Sequence, residues 1–321
     1  MNKNSLVSVV LPVFNGERFV AHAIESVLAQ SYSNFELIVV NDGSTDDSLK
    51  VISQYQNQAT IVSYDKNKGG NHARNKGYEA SNGEYIAYLD NDDLWHKDKL
   101  KIYMDILPRH QDISYVLSDF NRFLWDTREY YALTNSQLYP KIYELIKLSR
   151  YKDIKAFVIP KNKAFPLFLE GYPAFSSTIM VRRSLLEKIN GWDESLKRNQ
   201  DYDLTLRSIR HTDILYIDER LTDIGRHDSN LSTDISKQLD GDIDLMRKHL
   251  GYDGYTIAEK SIIGKYIGKR LCGKGYNFLN NRMPRQAVRK YYDALHYPDV
   301  FWHASIRLIY ALIMCVKYPK S

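Results

Sequence analysis

Asp90-Asn91-Asp92-Asp93 directly follow the apolar run Tyr85-Ile86-Ala87-Tyr88-Leu89. Two carboxylates one residue apart at the end of a strand can present oxygens to one hard cation, and Mg²⁺ or Mn²⁺ held that way completes its shell with substrate phosphates. Such a site asks for a diphosphate. Asp42, in Asn41-Asp42-Gly43-Ser44-Thr45-Asp46, offers a carboxylate to a base or ribose, and Gly43 lets the chain turn close to a ligand. Arg74, beyond Gly69-Gly70, can stack on a base or pair with phosphate. Taken singly, each also fits a plain structural part: an acidic turn capping a helix that begins near His96, an Asx turn, an exposed helical arginine.

Their placement gives them weight. Ser8 to Phe14 reads as a strand, and Val20, Ala23, Ile24, Val27 and Leu28 recur at helical spacing. Phe35 to Val40 is a continuous apolar run, the signature of a strand buried on both faces of a parallel sheet. A helix to about Tyr55, a strand at 60–64, a helix at 71–81 and a strand at 85–89 complete a βαβ series. The expected fold class is therefore α/β, a mostly parallel twisted sheet flanked by helices. Ligands bind such sheets at the carboxyl ends of the strands, and Asn15, Asp42 and Asp90 to Asp93 all follow strands. They are expected to converge on one edge.

From about Ile113 the pattern is less regular, with Pro140, Pro160, Pro166, Gly171 and Pro173, and substrate loops are expected there before a strand at Phe175 to Val181. Beyond Arg226-His227 the chain reads as helices at about 234–250, 257–280, 284–296 and 299–317. The expected organisation is a catalytic domain over 1–250, with a nucleotide-binding half at about 5–110 and an acceptor half at about 111–230, and a basic helical extension over 251–321.

Composition narrows the class. With 321 residues, 44% hydrophobic and 26% charged, the chain can bury a large core, which excludes disordered and collagen-like classes. Cys272 and Cys315 are too few for a disulfide framework or a cysteine-rich zinc module, and fit a reducing compartment. Leu6 to Phe14 is short and interrupted by Ser8 and Pro12, so it reads as a buried strand rather than a signal-peptide core. No stretch reaches the 18 or so unbroken apolar residues of a membrane span, and a soluble cytoplasmic protein is expected. The net charge of +5 is uneven: residues 257–321 carry 12 Lys and Arg against 3 Asp and Glu. That bias fits a solvated helical surface or contact with an anionic one.

Joined in order, the motifs resemble one family. Val10-Leu11-Pro12-Val13-Phe14-Asn15, Asn41 to Asp46, Asn67-Lys68-Gly69-Gly70-Asn71-His72-Ala73-Arg74-Asn75-Lys76-Gly77 and Gly83 to Asp93 are similar, over about residues 5 to 230, to the family 2 glycosyltransferases of the GT-A fold. The resemblance implies transfer from a nucleotide-sugar donor, a UDP-sugar above all, with a divalent Mn²⁺ or Mg²⁺ cofactor and often with inversion. By it Pro12, Val13 and Asn15 line the nucleotide pocket, Asp42 binds the base, and Arg74, Asp90 and Asn91 lie with the nucleotide. Asp92 makes the direct metal contact, and Asp93 is a helix cap or a sugar contact.

Gly191-Trp192-Asp193-Glu194 and Asn199-Gln200-Asp201-Tyr202-Asp203 look like that family's acceptor-side segment and Glu-Asp base motif, with Gln200 in place of the usual glutamate. The aspartate matching the base is Asp201, and Asp203 is its nearest competitor. An inverting transfer needs one carboxylate to take the acceptor hydroxyl's proton while the metal stabilises the departing diphosphate. His227 falls where the family often has a histidine near the metal, and a neutral imidazole can ligate Mn²⁺. Trp192 and Tyr172 are aromatics of the kind that stack on sugar faces, and Trp192 and Gln200 are assigned to acceptor or donor contacts.

The implied acceptor is a hydroxyl of a glycan or lipid-linked saccharide; no nucleic-acid partner is expected. The apolar Trp302, Ile306, Leu308, Ile309, Leu312 and Ile313 beside the basic Arg307, Lys317 and Lys320 fit packing against the catalytic domain or a second subunit, or peripheral contact with the inner face of the plasma membrane. Two competing readings are a sugar-phosphate nucleotidyltransferase, which needs a glycine-rich basic phosphate loop that Pro12 to Glu17 does not supply, and a non-catalytic nucleotide-sugar-binding scaffold.

Overall fold

The computed structural model describes residues 5–131, 156–170, 174–228 and 235–317. Tyr172, Pro140, Gly171 and Pro173 lie outside the described residues. The chain divides into two compact units, Met1–Asn230 and Leu231–Ser321.

The first unit is built on β1 (Val7–Val13), every residue of which is buried, Ser8 included, as befits a central strand covered on both faces. Its parallel neighbours are β2 (Phe35–Asp42) on one side and β4 (Tyr85–Tyr88) on the other, with β3 (Thr60–Tyr64) beyond β2. Helices α1 (Val20–Leu28), α2 (Ser48–Ser53) and α3 (Gly70–Glu79) make the crossovers. Val20, Ala23, Ile24 and Val27, the i, i+3, i+4, i+7 face of α1, pack into the core with Leu11, Leu37 and Val39.

Beyond β4 the sheet changes character. The strand order is β3-β2-β1-β4-β9-β6-β10-β5, with β7 (Tyr130–Tyr131) on β6 and β8 (Ala156–Ile159) on β10. The strand β9 (Ile179–Arg182) runs antiparallel to both β4 and β6 (Tyr115–Leu124). The long β10 (Ile214–Arg226) is parallel to β6, and the register shifts twice, after Ile217 and after Arg220. Leu94–Trp95 forms the short β5 against β10, and α4 (Lys99–Ile106) starts only at Lys99, not near His96. The expected strand from Phe175 is a 3₁₀ turn at Ser176–Thr178 followed by β9. Part of the stretch expected to be substrate loops is regular: β8 leads into α5 (Lys161–Glu170). Two further helices, α6 (Arg183–Ile189) and α7 (Gln200–Ser208), finish the unit.

The second unit is helical: α8 (Ile235–Leu250), α9 (Ile257–Asn280), α10 (Pro284–Ala294) and α11 (Phe301–Lys317). Helix α8 packs on α9, so the division falls between Asn230 and Leu231 rather than at 251–254. Thr256 and Glu259 cap α9 reciprocally, each accepting from the other's backbone N–H. No unbroken run of 18 apolar residues occurs, yet one segment is long and apolar enough to cross a membrane once an interruption is allowed. Pro298–Lys317 passes by length and composition, with a mean hydropathy of 1.4, although Arg307 interrupts its apolar run.

Candidate active site

The parallel half of the sheet brings three strand ends side by side. Asn15 follows β1, Asp42 ends β2, and Asp90 to Asp93 follow β4, each strand hydrogen-bonded to β1 or part of it.

At β2, the buried Asp42 carboxylate organises the loop ahead of α3. It accepts from the backbone N–H of Lys68 (2.8 Å) and of Gly69 (2.9 Å) and from Asn67 Nδ2 (3.0 Å). Gly43 turns at φ 65°, and a Cβ there would stand 2.5 Å from the backbone of Lys66 and Asn67, so glycine is needed for both conformation and space. At β1, the exposed Asn15 accepts from the Thr45 N–H (2.8 Å), while Pro12 and Val13 are buried within the strand. Asn91 reaches back against Gly16, where a Cβ would collide with its amide.

At β4 the four acidic-loop residues have different environments. Asp90 is clamped: Arg74 Nη2 donates to its Oδ1 at 2.5 Å, Ser176 Oγ to its Oδ2 at 2.6 Å, and its own N–H donates to Ser177 Oγ. Asp92 is partly open, with Oδ2 3.0 Å from His227 Nε2. The His227 ring stacks on Phe19 at 4.5 Å, and Trp125 Nε1 donates to the Asp92 carbonyl at 2.7 Å. Asp93 is buried, accepting from Ser177 Oγ and from the Gly225 N–H at 2.9 Å. It is thus neither a helix cap, since Asp98 precedes α4, nor an exposed sugar contact. Burial, and then the charges of Asp92 and Asp90, push its carboxyl well above the usual range.

Trp192 also differs from expectation. Only 2% of it is exposed; its ring lies under the Arg74 guanidinium at 4.7 Å and meets Tyr88 edge-on, so it supports Arg74 rather than offering a face to a sugar. The loop that carries it is stapled to α3. Asn75 exchanges hydrogen bonds with the Trp192 backbone (2.9 Å each) and donates to Glu194, Asn71 donates to the Asp193 carbonyl, and His72 pairs with Glu194 at 2.9 Å.

Gln200 and Asp201 open α7 behind Asn199, which turns at φ 56°. Desolvation raises the Asp201 carboxyl to about 6, against the opposing pull of Arg74 and with a further push from Asp90. Arg74 therefore acts on both the β4 carboxylates and Asp201. Asp203 is fully buried and spent on an ion pair with Arg207 Nε at 2.7 Å, whose Nη1 donates to the carbonyls of Ile189 and Gly191. That leaves Asp201 as the available carboxylate of the pair.

Sequence reading missed Ser176, Ser177, Gly225, Trp125 and Phe19, which hold the acidic loop. Only Gly225, just ahead of Arg226-His227, left a trace in the sequence.

Asp92 and His227 bring a hard oxygen and an imidazole nitrogen together, a donor pair suited to Mn²⁺ or Mg²⁺ that takes its remaining ligands from substrate. Among the described residues no group of three or more His, Cys, Asp and Glu forms a closed metal cage.

Known proteins share the fold. The S. aureus TarS fragment 1–349 solved with UDP-GlcNAc superposes with a TM-score of 0.67 at 18% identity, over 97% of this chain and 88% of that one. The mannosyltransferase PcManGT of Pyrobaculum calidifontis, solved with GDP-Man and Mn²⁺, gives 0.59 at 16% identity, over 98% and 81%. These likenesses are of fold, GT-A. In sequence, an uncharacterized glycosyltransferase of Rickettsia typhi is 29% identical over 237 residues, covering 73% of this chain and 68% of its own length. The E. coli enzyme WfgD, a UDP-Glc:alpha-D-GlcNAc-diphosphoundecaprenol beta-1,3-glucosyltransferase, is 26% identical over 210 residues, 65% of this chain and 72% of its own. Residues 8–189 match the model of glycosyl transferase family 2. With the motifs, the GT-A sheet and that match in agreement, the chain belongs to glycosyl transferase family 2.

Proposed function

We propose that the protein transfers a hexose from a UDP-sugar to a hydroxyl of a glycan or lipid-linked saccharide, with inversion at the anomeric carbon. The observation that carries this reading is the placement of Asp42, Asp90 and Asp92 at neighbouring strand ends on the carboxyl edge of the sheet, with Arg74 bonded to Asp90 and its charge acting on Asp201. UDP is supported by the nucleotides of the TarS complexes, and a lipid-linked acceptor by the diphosphoundecaprenol substrate in the name of WfgD.

Asp42 and the β1 turn around Asn15 receive the nucleoside. Asp92 and His227 would hold a Mn²⁺ or Mg²⁺, which neutralises diphosphate charge when bound. Arg74 is held by Asp90, Ser176 and Trp192, and its fixed charge adds to the field on the diphosphate side. Asp201 takes the proton of the acceptor hydroxyl as its oxygen bonds to the anomeric carbon. The bond from that carbon to the nucleoside diphosphate breaks, and the diphosphate leaves with the electron pair. A carboxyl near 6 is ionised at neutral pH yet basic enough to accept the proton.

The test is UDP release from a panel of UDP-hexoses with lipid-linked saccharide acceptors, on the protein and on Asp201→Asn. Acceptor-dependent release lost in the variant, with nucleotide binding kept, supports the reading. Nucleotide binding without release from any donor would instead support the scaffold alternative.

A further inference from the structure

Helix α11 presents two unlike faces. Ala304 and Ala311 are fully buried, and α11 packs against α10. On the opposite side Trp302, Ile306, Ile309, Ile313 and Val316 recur at spacings of 4, 3, 4 and 3 residues, which puts all five on one stripe. Their exposures run from 60 to 83%. Phe301, Tyr310 and Leu312 widen the apolar surface on either side and are also exposed. Five large apolar side chains left in water along one helix are a docking face rather than scattered surface residues.

We infer that this face docks on an anionic lipid bilayer, with α11 lying in the plane of the headgroups. Charge complementarity selects that occupant. Residues 257–321 carry 12 Lys and Arg against 3 Asp and Glu, and from Phe301 to the last residue there is no acid at all. A positively charged unit with an apolar helix face, an aromatic at its start and a lysine at its end matches the chemistry of an interfacial anchor.

The same stripe has the spacing of a coiled-coil seam, but it fits a second copy of the chain poorly. It lasts two heptads, where about three or four are needed. No acidic side chain is present on α11 to pair across such a seam, so two copies would meet with like charge. The exposed Phe301 and Leu312 also make the face broader than a two-stranded seam. Crossing the bilayer is disfavoured by the packing: α10, bound along the alanine face, carries Arg285, Gln286, Arg289, Lys290 and Asp293, which α11 would drag into hydrocarbon.

This inference goes beyond the transferase reading and is tested without measuring activity. The full-length protein is mixed with preformed vesicles of phosphatidylcholine, with and without phosphatidylglycerol, at low and high salt, and the bound fraction is read by flotation. The double variant Ile309→Ser, Ile313→Ser alters only exposed positions, and its fold is checked by circular dichroism. Analytical ultracentrifugation without lipid reads the oligomeric state of both proteins. The expected result is at least tenfold tighter partition to the phosphatidylglycerol vesicles than to phosphatidylcholine alone, weakened by salt and lost in the double variant, from a protein that is equally monomeric in both forms. Absence of vesicle binding, or binding unchanged in the double variant, would overturn it. So would a stable oligomer that the double variant converts to monomers, which would assign the face to a second copy. Vesicle binding that high salt leaves undiminished and that phosphatidylglycerol does not strengthen would remove the anionic-headgroup requirement and overturn the inference.

Discussion

The chemistry proposed here turns on one carboxylate. Asp201 and Asp203 are two residues apart on α7, yet one is desolvated beside Arg74 and the other is consumed by Arg207. Replacing Asp201 with Asn is expected to lower kcat by about 10² to 10⁴-fold, the usual worth of a general base, while the nucleotide Kd stays the same. The pH profile follows from the direction of the shift. Asp201 is raised to about 6, so the base is a carboxylate above that pH and an inactive acid below it. The expected kcat/KM is flat near neutrality and falls as pH drops through about 6; an acid limb near 4 would contradict the assignment. Asp203→Ala should act on stability instead. It strips the largely covered Arg207 guanidinium of its fully buried ion partner, and about 3 kcal/mol of unfolding free energy is expected to be lost, read by denaturant titration. At this scale the sequence marked Asp42, Asp90 and Asp92 as candidates because each stands at a strand end that periodicity reveals, and Asp201 only through its likeness to the family's base motif. It misplaced Asp93 and Trp192, because whether an acid or an indole faces solvent depends on Ser177, Gly225 and Arg74, which reach them from distant parts of the chain.

Among the elements, α3 and β10 do the positioning. Helix α3 begins beside the Asp42 loop, donates Arg74 to Asp90, and staples the 191–194 loop through Asn71, His72 and Asn75. Asn75→Ala removes three of those hydrogen bonds, each worth about 1 kcal/mol. It is expected to raise the acceptor KM severalfold with little change in nucleotide Kd, because the loop leads into α7 while Asp42 is untouched. Strand β10 supports the acidic loop from below. A Cβ at Gly225 would collide with the Asp92 carbonyl and the Trp125 indole. Gly225→Ala should therefore weaken metal-dependent nucleotide binding at least tenfold, about 1.4 kcal/mol, as measured by calorimetry. The parallel strands β1, β2 and β4 were legible as apolar runs punctuated by turn residues. The two-residue β5 and the 3₁₀ turn at Ser176–Thr178 were not, since each is fixed by pairing or hydrogen bonding to residues far along the chain.

For the molecule as a whole, the alternation of strands and helices and the late run of helices were both readable from periodicity. The membrane-length helix was not, because a rule demanding an unbroken apolar run stops at Arg307. The central claim is that the carboxyl edge of the sheet is a metal-assisted nucleotide-diphosphate site serving sugar transfer. Isothermal titration with UDP, GDP and CDP, with and without Mn²⁺, repeated on Asp92→Ala, tests it most directly. The account predicts that UDP binds in preference to the others, that Mn²⁺ strengthens this binding, and that Asp92→Ala abolishes the metal dependence. A folded protein that bound none of the three nucleotides under any metal condition would contradict it.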